Sequence, residues 1–459
     1  IGRAGVGVDN IDTEAATKKG IIVMNAPFGN IISAAEHTMA LMLSLARYIP
    51  QANQKLKNKQ WDRKSFTGTE LNRKTLGIVG IGKVGKEVAI RAKSFNMELI
   101  AYDPYISKEA ADELEVTLME LKDVLKAADF ITVHTPLTPT TKNLISEKEF
   151  KLMKPGARII NCARGGIINE QALIDAIKKG IIKGAALDVY EHEPPIESEL
   201  LTLDSIITTP HLGASTLEAQ TNVSTDVAEQ IIEYHRTGRI INAINMPQIN
   251  PETLAKTAPY LRLAEQIASL TAQIPNGHIT SVEITYIGEI AALDTRQITM
   301  SAIKGLLQPI CGSTVNYINA PYIAKERKIE IKESKIETSK DYTSQITITT
   351  STNQKKSIET TGILLHNTPR IIKINQFEID MEPSGNILLI NHKDIPGTVG
   401  AVTTALGKNN INIARMSVGR TSPGQSAIMA INIDQPTPKE VIEELNHLKN
   451  VNNATFIKI

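Results

Sequence analysis

From 71 to about 210 the sequence alternates short apolar runs with longer stretches of helical periodicity, and no other feature restricts the possible folds as strongly. The runs lie at 76–80, 98–102, 130–133, 158–161, 185–187 and 205–209. Strands this short, nearly continuous in Ile, Val and Leu and separated by helices, belong to a parallel sheet that is buried on both faces and built from βαβ units. The pattern predicts an α/β fold with a Rossmann-type doubly wound parallel sheet. Such a sheet binds its ligands outside the C-terminal ends of the strands.

The hexad Gly80-Ile81-Gly82-Lys83-Val84-Gly85 directly follows the first run and opens a helical stretch. In that context it is the fingerprint of a dinucleotide site. Gly80 makes the tight turn, Gly82 lets the backbone approach a pyrophosphate at the helix N-terminus, and Gly85 lets helix and strand pack closely. The next run leads to Asp103, 21 positions after Gly82, where a carboxylate bonds ribose hydroxyls and repels a 2′-phosphate. NAD rather than NADP is the expected cofactor.

Three more residues follow the C-terminal ends of predicted strands: Arg164 in Asn161-Cys162-Ala163-Arg164-Gly165-Gly166, Glu193 in Asp188-Val189-Tyr190-Glu191-His192-Glu193-Pro194-Pro195, and His211 in Pro210-His211-Leu212-Gly213-Ala214. Oxidising a secondary alcohol needs a base for the hydroxyl proton and a cation that holds a carboxylate and polarises the forming carbonyl. His211 suits the first role and Arg164 the second. A carboxylate beside the imidazole, Glu193, would orient the ring and stabilise its protonated form.

Composition removes other classes of function. Among 459 residues, 50 basic side chains stand against 49 acidic ones and aromatics make up 4%, so neither the basic excess nor the stacking platforms of a nucleic-acid binder are present. No apolar run approaches the roughly 20 residues that span a bilayer; the most apolar stretch, 34–46, is broken by Glu36 and His37, so no membrane partner is expected. Two cysteines, Cys162 and Cys311, are too few for a disulfide framework or a zinc cluster, which points to a reducing, cytoplasmic compartment and no metal site.

Outside the sheet, Ser33-Ala34-Ala35-Glu36 reads as a capping box opening a buried helix that runs toward Arg47, and 215–236 reads as a second long helix stopped at Thr237-Gly238-Arg239. From about 278 to 380, Ile and Thr alternate with charged residues, as in Ile329-Glu330-Ile331-Lys332-Glu333, which predicts strands with one polar face. Beyond 385, a strand-helix-strand-strand-helix order closed by a strand at 454–457 predicts a ferredoxin-like βαββαβ module.

With 29 positions from Arg164 to Glu193 and 18 from Glu193 to His211, the sequence resembles the D-isomer-specific 2-hydroxyacid dehydrogenases. Within that family, Gly2-Arg3-Ala4-Gly5-Val6-Gly7-Val8-Asp9-Asn10, Trp61-Asp62-Arg63-Lys64-Ser65-Phe66-Thr67, Val133-His134-Thr135-Pro136-Leu137 and His211-Leu212-Gly213-Ala214-Ser215-Thr216 are similar to the long branch that acts on D-3-phosphoglycerate. The resemblance implies NAD-dependent oxidation of that substrate to 3-phosphooxypyruvate, the first step of L-serine synthesis. It also implies that Lys83 and Val84 touch the cofactor at the fingerprint and Thr135 along the site. Cys162, Ala163, Arg164, Asp188, His211, Leu212, Gly213 and Ala214 would lie near the nicotinamide. The backbone at Val6 and Gly7 would receive the substrate carboxylate. Arg63 would contact the substrate phosphate across a dimer interface, with another basic group coming from a segment that precedes Ile1. The C-terminal module resembles an ACT domain, in which His392 and Asn412 match L-serine-binding positions of regulated relatives; Asp394 stands where those relatives have Asn, and its carboxylate can still pair with the serine ammonium group.

The expected organisation has four parts. Residues 1–24 are read as the end of a flavodoxin-like substrate lobe whose earlier part is missing, with helix 214–245 packing back on it; 25–213 as the Rossmann domain; 250–382 as an α+β intervening domain; and 386–459 as the ACT domain. A homo-oligomer, dimer or tetramer, is expected. Other readings stay open at this point: the same chemistry on hydroxypyruvate, glyoxylate or D-lactate, a non-enzymatic NAD-sensing corepressor, or an amino-acid sensor, the last disfavoured by an intact Arg, Glu and His trio.

Overall fold

The alternating runs fold into parallel strands β1 (Thr75–Val79), β2 (Glu98–Tyr102), β3 (Thr117–Leu118), β4 (Phe130–Val133), β5 (Arg158–Asn161), β6 (Gly184–Leu187) and β7 (Ile206–Thr208), in the spatial order β3-β2-β1-β4-β5-β6-β7. This is the doubly wound arrangement, and strand order reverses beside β1, between β2 and β4. Every residue of β4, β5 and β6 is buried. Successive side chains serve opposite faces: Ile159 packs with Leu125, Phe150 and Ile174, and Ile160 with Met42, Leu45 and Val88. Two helices on the second face matter for the site, α1 (Ile31–Arg47) and α2 (Lys83–Lys93).

The computed structural model describes residues 1–275 and 277–459. The chain divides into two units, one formed by Gly2–Val8 with Asn25–Ile240, the other by Ile1, Asp9–Met24 and Ile241–Ile459. In the first unit α3 (Leu217–Thr237), capped by the Thr216 hydroxyl, places Val223 and Val227 against Ala26 and Ala4.

The expected capping box at Ser33 is corrected by the structure. Helix α1 starts at Ile31 behind Asn30, so Ser33 lies inside its first turn, and its hydroxyl donates to the carbonyl of Gly213 at 2.8 Å. Glu36 turns to Arg91 at 3.5 Å. A distant carbonyl outcompeted the local cap.

In the second unit, α4 (Pro251–Gln273) and α5 (Arg296–Cys311) lie on a six-stranded sheet of β8 (Ile279–Gly288), β9 (Glu330–Ile336), β10 (Ser344–Thr352), β11 (Ser357–Leu365), β12 (Thr368–Ile374) and β13 (Phe377–Met381), ordered β9-β8-β10-β11-β12-β13. The strand expectation for 278–380 therefore needs correction at α5. Ile298, Ala302 and Leu306 recur at helical spacing within the Ile- and Thr-rich stretch and are all buried with Ile284, Tyr286 and Ile346. The rest of this unit includes a four-stranded antiparallel sheet, β14 (Asn386–Lys393), β15 (Ile413–Arg420), β16 (Ser426–Ile433) and β17 (Val451–Lys458), ordered β15-β16-β14-β17, with helices at Thr398–Lys408 and Lys439–His447 packed through Val402, Leu406, Val441 and Leu445. This is the βαββαβ pattern. Among the described residues no helix is long and apolar enough to cross a membrane.

Candidate active site

The turn leaving β1 is shaped for close approach. Gly80 has φ 92°, and a side chain on Gly85 would meet the Gly80 carbonyl oxygen at 2.2 Å, so α2 reaches the strand only because glycine is there. Around Gly82 nothing lies within 4 Å of where a Cβ would be. Gly82 is also the N-cap of α2 and gives the helix no side-chain cap. Asp103, just after β2, accepts the N–H of Ile81 through Oδ2 and that of Tyr105 through Oδ1, each at 2.9 Å. It braces the glycine turn and keeps lone pairs on both oxygens. Across the turn, Thr135 Oγ1 is buried with no partner, and its methyl would sit 2.8 Å from a Cβ on Gly80. An uncapped helix N-terminus, open ground at Gly82 and an unfilled hydroxyl suit a dinucleotide. The Lys83 ammonium lies 3.3 Å from the centroid of the Phe28 ring, and burial pulls its pKa down.

Beyond β5, buried Asn161 folds the next turn onto itself: its Oδ1 accepts the Ala163 N–H at 3.0 Å and its amide donates to the Arg164 carbonyl at 2.9 Å. The half-buried Arg164 donates through Nη1 to the Ala163 carbonyl at 2.7 Å. A Cβ on Gly165 would meet the Tyr190 carbonyl oxygen at 1.8 Å, so the loop carrying Arg164 touches the loop carrying Glu193 only through a glycine. Glu193 accepts the Tyr190 N–H through Oε1 at 3.2 Å, and its Oε2 lies 2.8 Å from His211 Nδ1. With the carboxylate beside Nδ1, that nitrogen carries the proton and Nε2 is the basic one. The two side chains are 48% and 39% exposed, open to a small molecule.

Comparison with known proteins decides the family. The D-isomer specific 2-hydroxyacid dehydrogenase NAD binding domain matches residues 39–213, the D-3-phosphoglycerate dehydrogenase intervening domain 256–375, and the ACT domain 386–450. The chain is 48% identical to the D-3-phosphoglycerate dehydrogenase of Methanocaldococcus jannaschii, over all of this chain and 87% of that one. It is 43% identical to the enzyme of the same name from Bacillus subtilis, again over 100% of this chain and 87% of the other. The chain belongs to the D-3-phosphoglycerate dehydrogenase family. A solved D-lactate dehydrogenase from Escherichia coli in its apo form is similar over 53% of this chain and 77% of its own, at 33% identity and a TM-score of 0.50. As in the other dehydrogenases of this family, the nucleotide domain is an NAD-binding one.

In this member of the dehydrogenase family, the loop bearing His211 hangs from Asp188, whose side chain has no exposure. Oδ1 accepts the Thr209 hydroxyl at 2.6 Å and the Leu212 N–H at 2.7 Å, and Oδ2 accepts the Gly213 N–H at 2.8 Å. Burial pushes the Asp188 carboxyl up, but hydrogen bonds from His37, Thr209 and Leu212 outweigh it and hold the group below the usual carboxylate range. Tyr190 donates its hydroxyl to the Thr209 carbonyl at 2.9 Å. Next to Asn161, burial pushes the Cys162 thiol up to about 12, so it stays a neutral thiol. Asn161, Thr209, Tyr190, Ser33 and His37 were given no site role from sequence; two polar residues four apart at the apolar stretch of α1 were the available signal.

Val6, on a loop beside Asn25, accepts the Asn25 amide at its carbonyl at 2.6 Å, with Gly7 next to it. Arg63 is exposed on a turn closed by Asp62, which accepts the backbone N–H groups of Lys64 and Ser65 at 3.1 Å and the Lys55 ammonium at 2.6 Å. In the second unit, His392 Nδ1 is 2.8 Å from the Lys393 carbonyl while its buried Nε2 has no partner. Asp394 accepts Arg420 at 3.1 Å, and the Asn412 amide donates to Asp434 at 2.6 Å.

Proposed function

We propose that the chain catalyses NAD-dependent oxidation of D-3-phosphoglycerate to 3-phosphooxypyruvate, the first step of L-serine biosynthesis. The observation that carries the reading is the 2.8 Å pair of His211 and Glu193 at the strand-end crevice of a chain that aligns along its whole length with enzymes of that name. Bound NAD would supply the acceptor for the hydride that leaves the substrate C2. His211 Nε2 takes the hydroxyl proton as the carbonyl forms, and Glu193 stabilises the imidazolium through Nδ1. Arg164 presents a planar set of donors that holds the substrate carboxylate and polarises the forming carbonyl. Asp103 would bond the ribose of NAD, and Lys83 and Val84 would touch the cofactor at the glycine turn. The Val6–Gly7 backbone receives the substrate carboxylate together with Arg164, and Arg63 supplies a cation to the substrate phosphate of a neighbouring subunit in a homo-oligomer.

The ACT domain makes this a dehydrogenase with a small-molecule effector module, and L-serine is the proposed effector, at His392, Asp394 and Asn412. The two thiols suit a cytoplasmic location.

A substrate panel tests the reaction. With NAD in excess, kcat/KM for D-3-phosphoglycerate should exceed that for D-lactate and D-glycerate by about 100-fold or more, since a phosphate-binding site left unfilled forfeits that much discrimination. Preference for D-lactate would overturn the assignment.

A further inference from the structure

Ser33 and His37 stand one turn apart on α1, spaced to share a face of the helix. Both reach the loop that carries His211. Ser33 Oγ donates to the Gly213 carbonyl at 2.8 Å, and His37 Nε2 lies 3.2 Å from both Asp188 Oδ1 and Thr209 Oγ1. Thr209 gives its own proton to Asp188, so one N–H from His37 is shared between the carboxylate and the threonine oxygen.

We infer that His37 is a positioning residue for His211, fixing the place of the basic imidazole through Asp188 and Thr209 without acting on the substrate itself. This deepens the proposed mechanism and rests on His211 being its base.

The loop needs such support. His211 has φ 55°, a backbone region that residues with a side chain seldom enter, and a segment held there relaxes unless its neighbours over-determine it. Asp188 supplies the restraint by accepting on both sides of His211, from Thr209 before it and from Leu212 and Gly213 after it. A fully buried carboxylate holds one orientation only while its donors hold it. His37 is the one titratable donor of the four and comes from a helix outside the loop. Without it, Oδ1 loses its donor from outside the loop and the Thr209 hydroxyl loses its second contact. Asp188 is then held by donors of the loop alone, so it shifts together with the Leu212 and Gly213 N–H groups and with His211 between them and Thr209. Ser33, gripping the same loop at Gly213, gives α1 a second hold.

A purely structural role would lower thermal stability and every kinetic constant together. The test compares His37→Leu, His37→Gln, His211→Ala and the double variant His37→Leu with His211→Ala in the full chain, measuring kcat, KM for D-3-phosphoglycerate, NADH affinity by fluorescence and the thermal midpoint. His37→Leu should lower kcat about tenfold or more, the scale of a lost hydrogen bond to a charged group, while KM and NADH affinity stay within about twofold. His37→Gln, whose amide N–H can reach the same oxygen, should restore most of kcat. In the His211→Ala background, His37→Leu should cause no further loss, because the group it positions is gone. Unchanged kcat in His37→Leu, glutamine as poor as leucine, or a full further loss in the double variant overturns the inference. Should the leucine variant not fold, His37→Asn, polar but too short to reach Asp188, takes its place in every comparison. Near-normal turnover in His211→Ala alone would instead remove the base from the mechanism, a separate failure.

Discussion

Asp188 in the first unit and His392 in the second are both almost completely enclosed, yet the protein provides for them in opposite ways. Asp188 receives the Thr209 hydroxyl, the Leu212 and Gly213 N–H groups and the His37 ring. His392 engages the Lys393 carbonyl through Nδ1 and leaves Nε2 with nothing. A buried polar atom without a partner costs on the order of 1–3 kcal/mol, so the difference is not incidental. Filled groups fix geometry before any ligand arrives. Empty ones keep a polar atom for something else to fill, and Thr135 Oγ1, beside the dinucleotide turn, shares that state with His392 Nε2.

The largest effect should come from removing what the filled network holds. His211→Ala should lower kcat by at least about 100-fold, the smaller end of what acid-base groups contribute, with NADH affinity little changed. Stopped-flow turnover beside an NADH fluorescence titration separates the two. A matching loss of NADH affinity would mean that the network serves the cofactor rather than the base.

Next in size is the restraint itself. Asp188→Asn keeps the shape but turns an amide N–H toward groups that donate, so it should cost about 1–3 kcal/mol of stability at neutral pH. The sign with pH follows from the lowered carboxyl. Its contribution is complete above an ordinary Asp value of about 4 and is lost as pH falls through the depressed folded value. Urea unfolding of both forms from pH 7 downward should therefore show the gap closing only below about 4. A gap that closes near neutral pH would assign the loss to another group.

How far the sequence foretold these networks depends on how local their causes are. The strands of the Rossmann sheet were legible because burial on both faces leaves a continuous apolar run, and β4 and β5 fall where the runs do. That Glu193 and His211 would meet was legible because strand ends converge and a carboxylate beside an imidazole is specific to those residue types. The filled network was not. Ser33 offers its hydroxyl to a carbonyl 180 positions away, and nothing in Ser33-Ala34-Ala35-Glu36 distinguishes that from a helix cap. His37 and Asp188 meet only when the sheet has formed. The helix α5 was hidden for another reason: its Ile and Thr favour strands locally, and only packing under the six-stranded sheet selects the helical spacing of Ile298, Ala302 and Leu306.

The empty side of the comparison predicts smaller effects, of a kind that filled sites cannot show. Thr135→Val removes an unpartnered hydroxyl at nearly constant volume, so the NAD-free protein should lose no stability while NAD affinity falls by a few-fold, as expected for one neutral hydrogen bond worth about 1 kcal/mol. Calorimetry of NAD binding would show it, and unchanged affinity would place the hydroxyl outside the cofactor site.

His392→Leu carries the same logic into the ACT domain. With Nδ1 protonated toward the Lys393 carbonyl, Nε2 is an acceptor without a donor, and the proposed effector L-serine would supply one from its ammonium or hydroxyl group. An apolar side chain in that place ends the cost of the empty acceptor, so the free protein should melt at the same temperature or slightly higher. The loss should appear only with the effector. At 100 times its dissociation constant, L-serine adds about 2.7 kcal/mol to the wild-type protein by mass action, and it should add nothing to the leucine variant. Thermal unfolding with and without L-serine reads both terms at once. If the variant melts well below wild type, the ring is a structural filler rather than an open acceptor; if serine shifts both proteins equally, it binds somewhere other than His392.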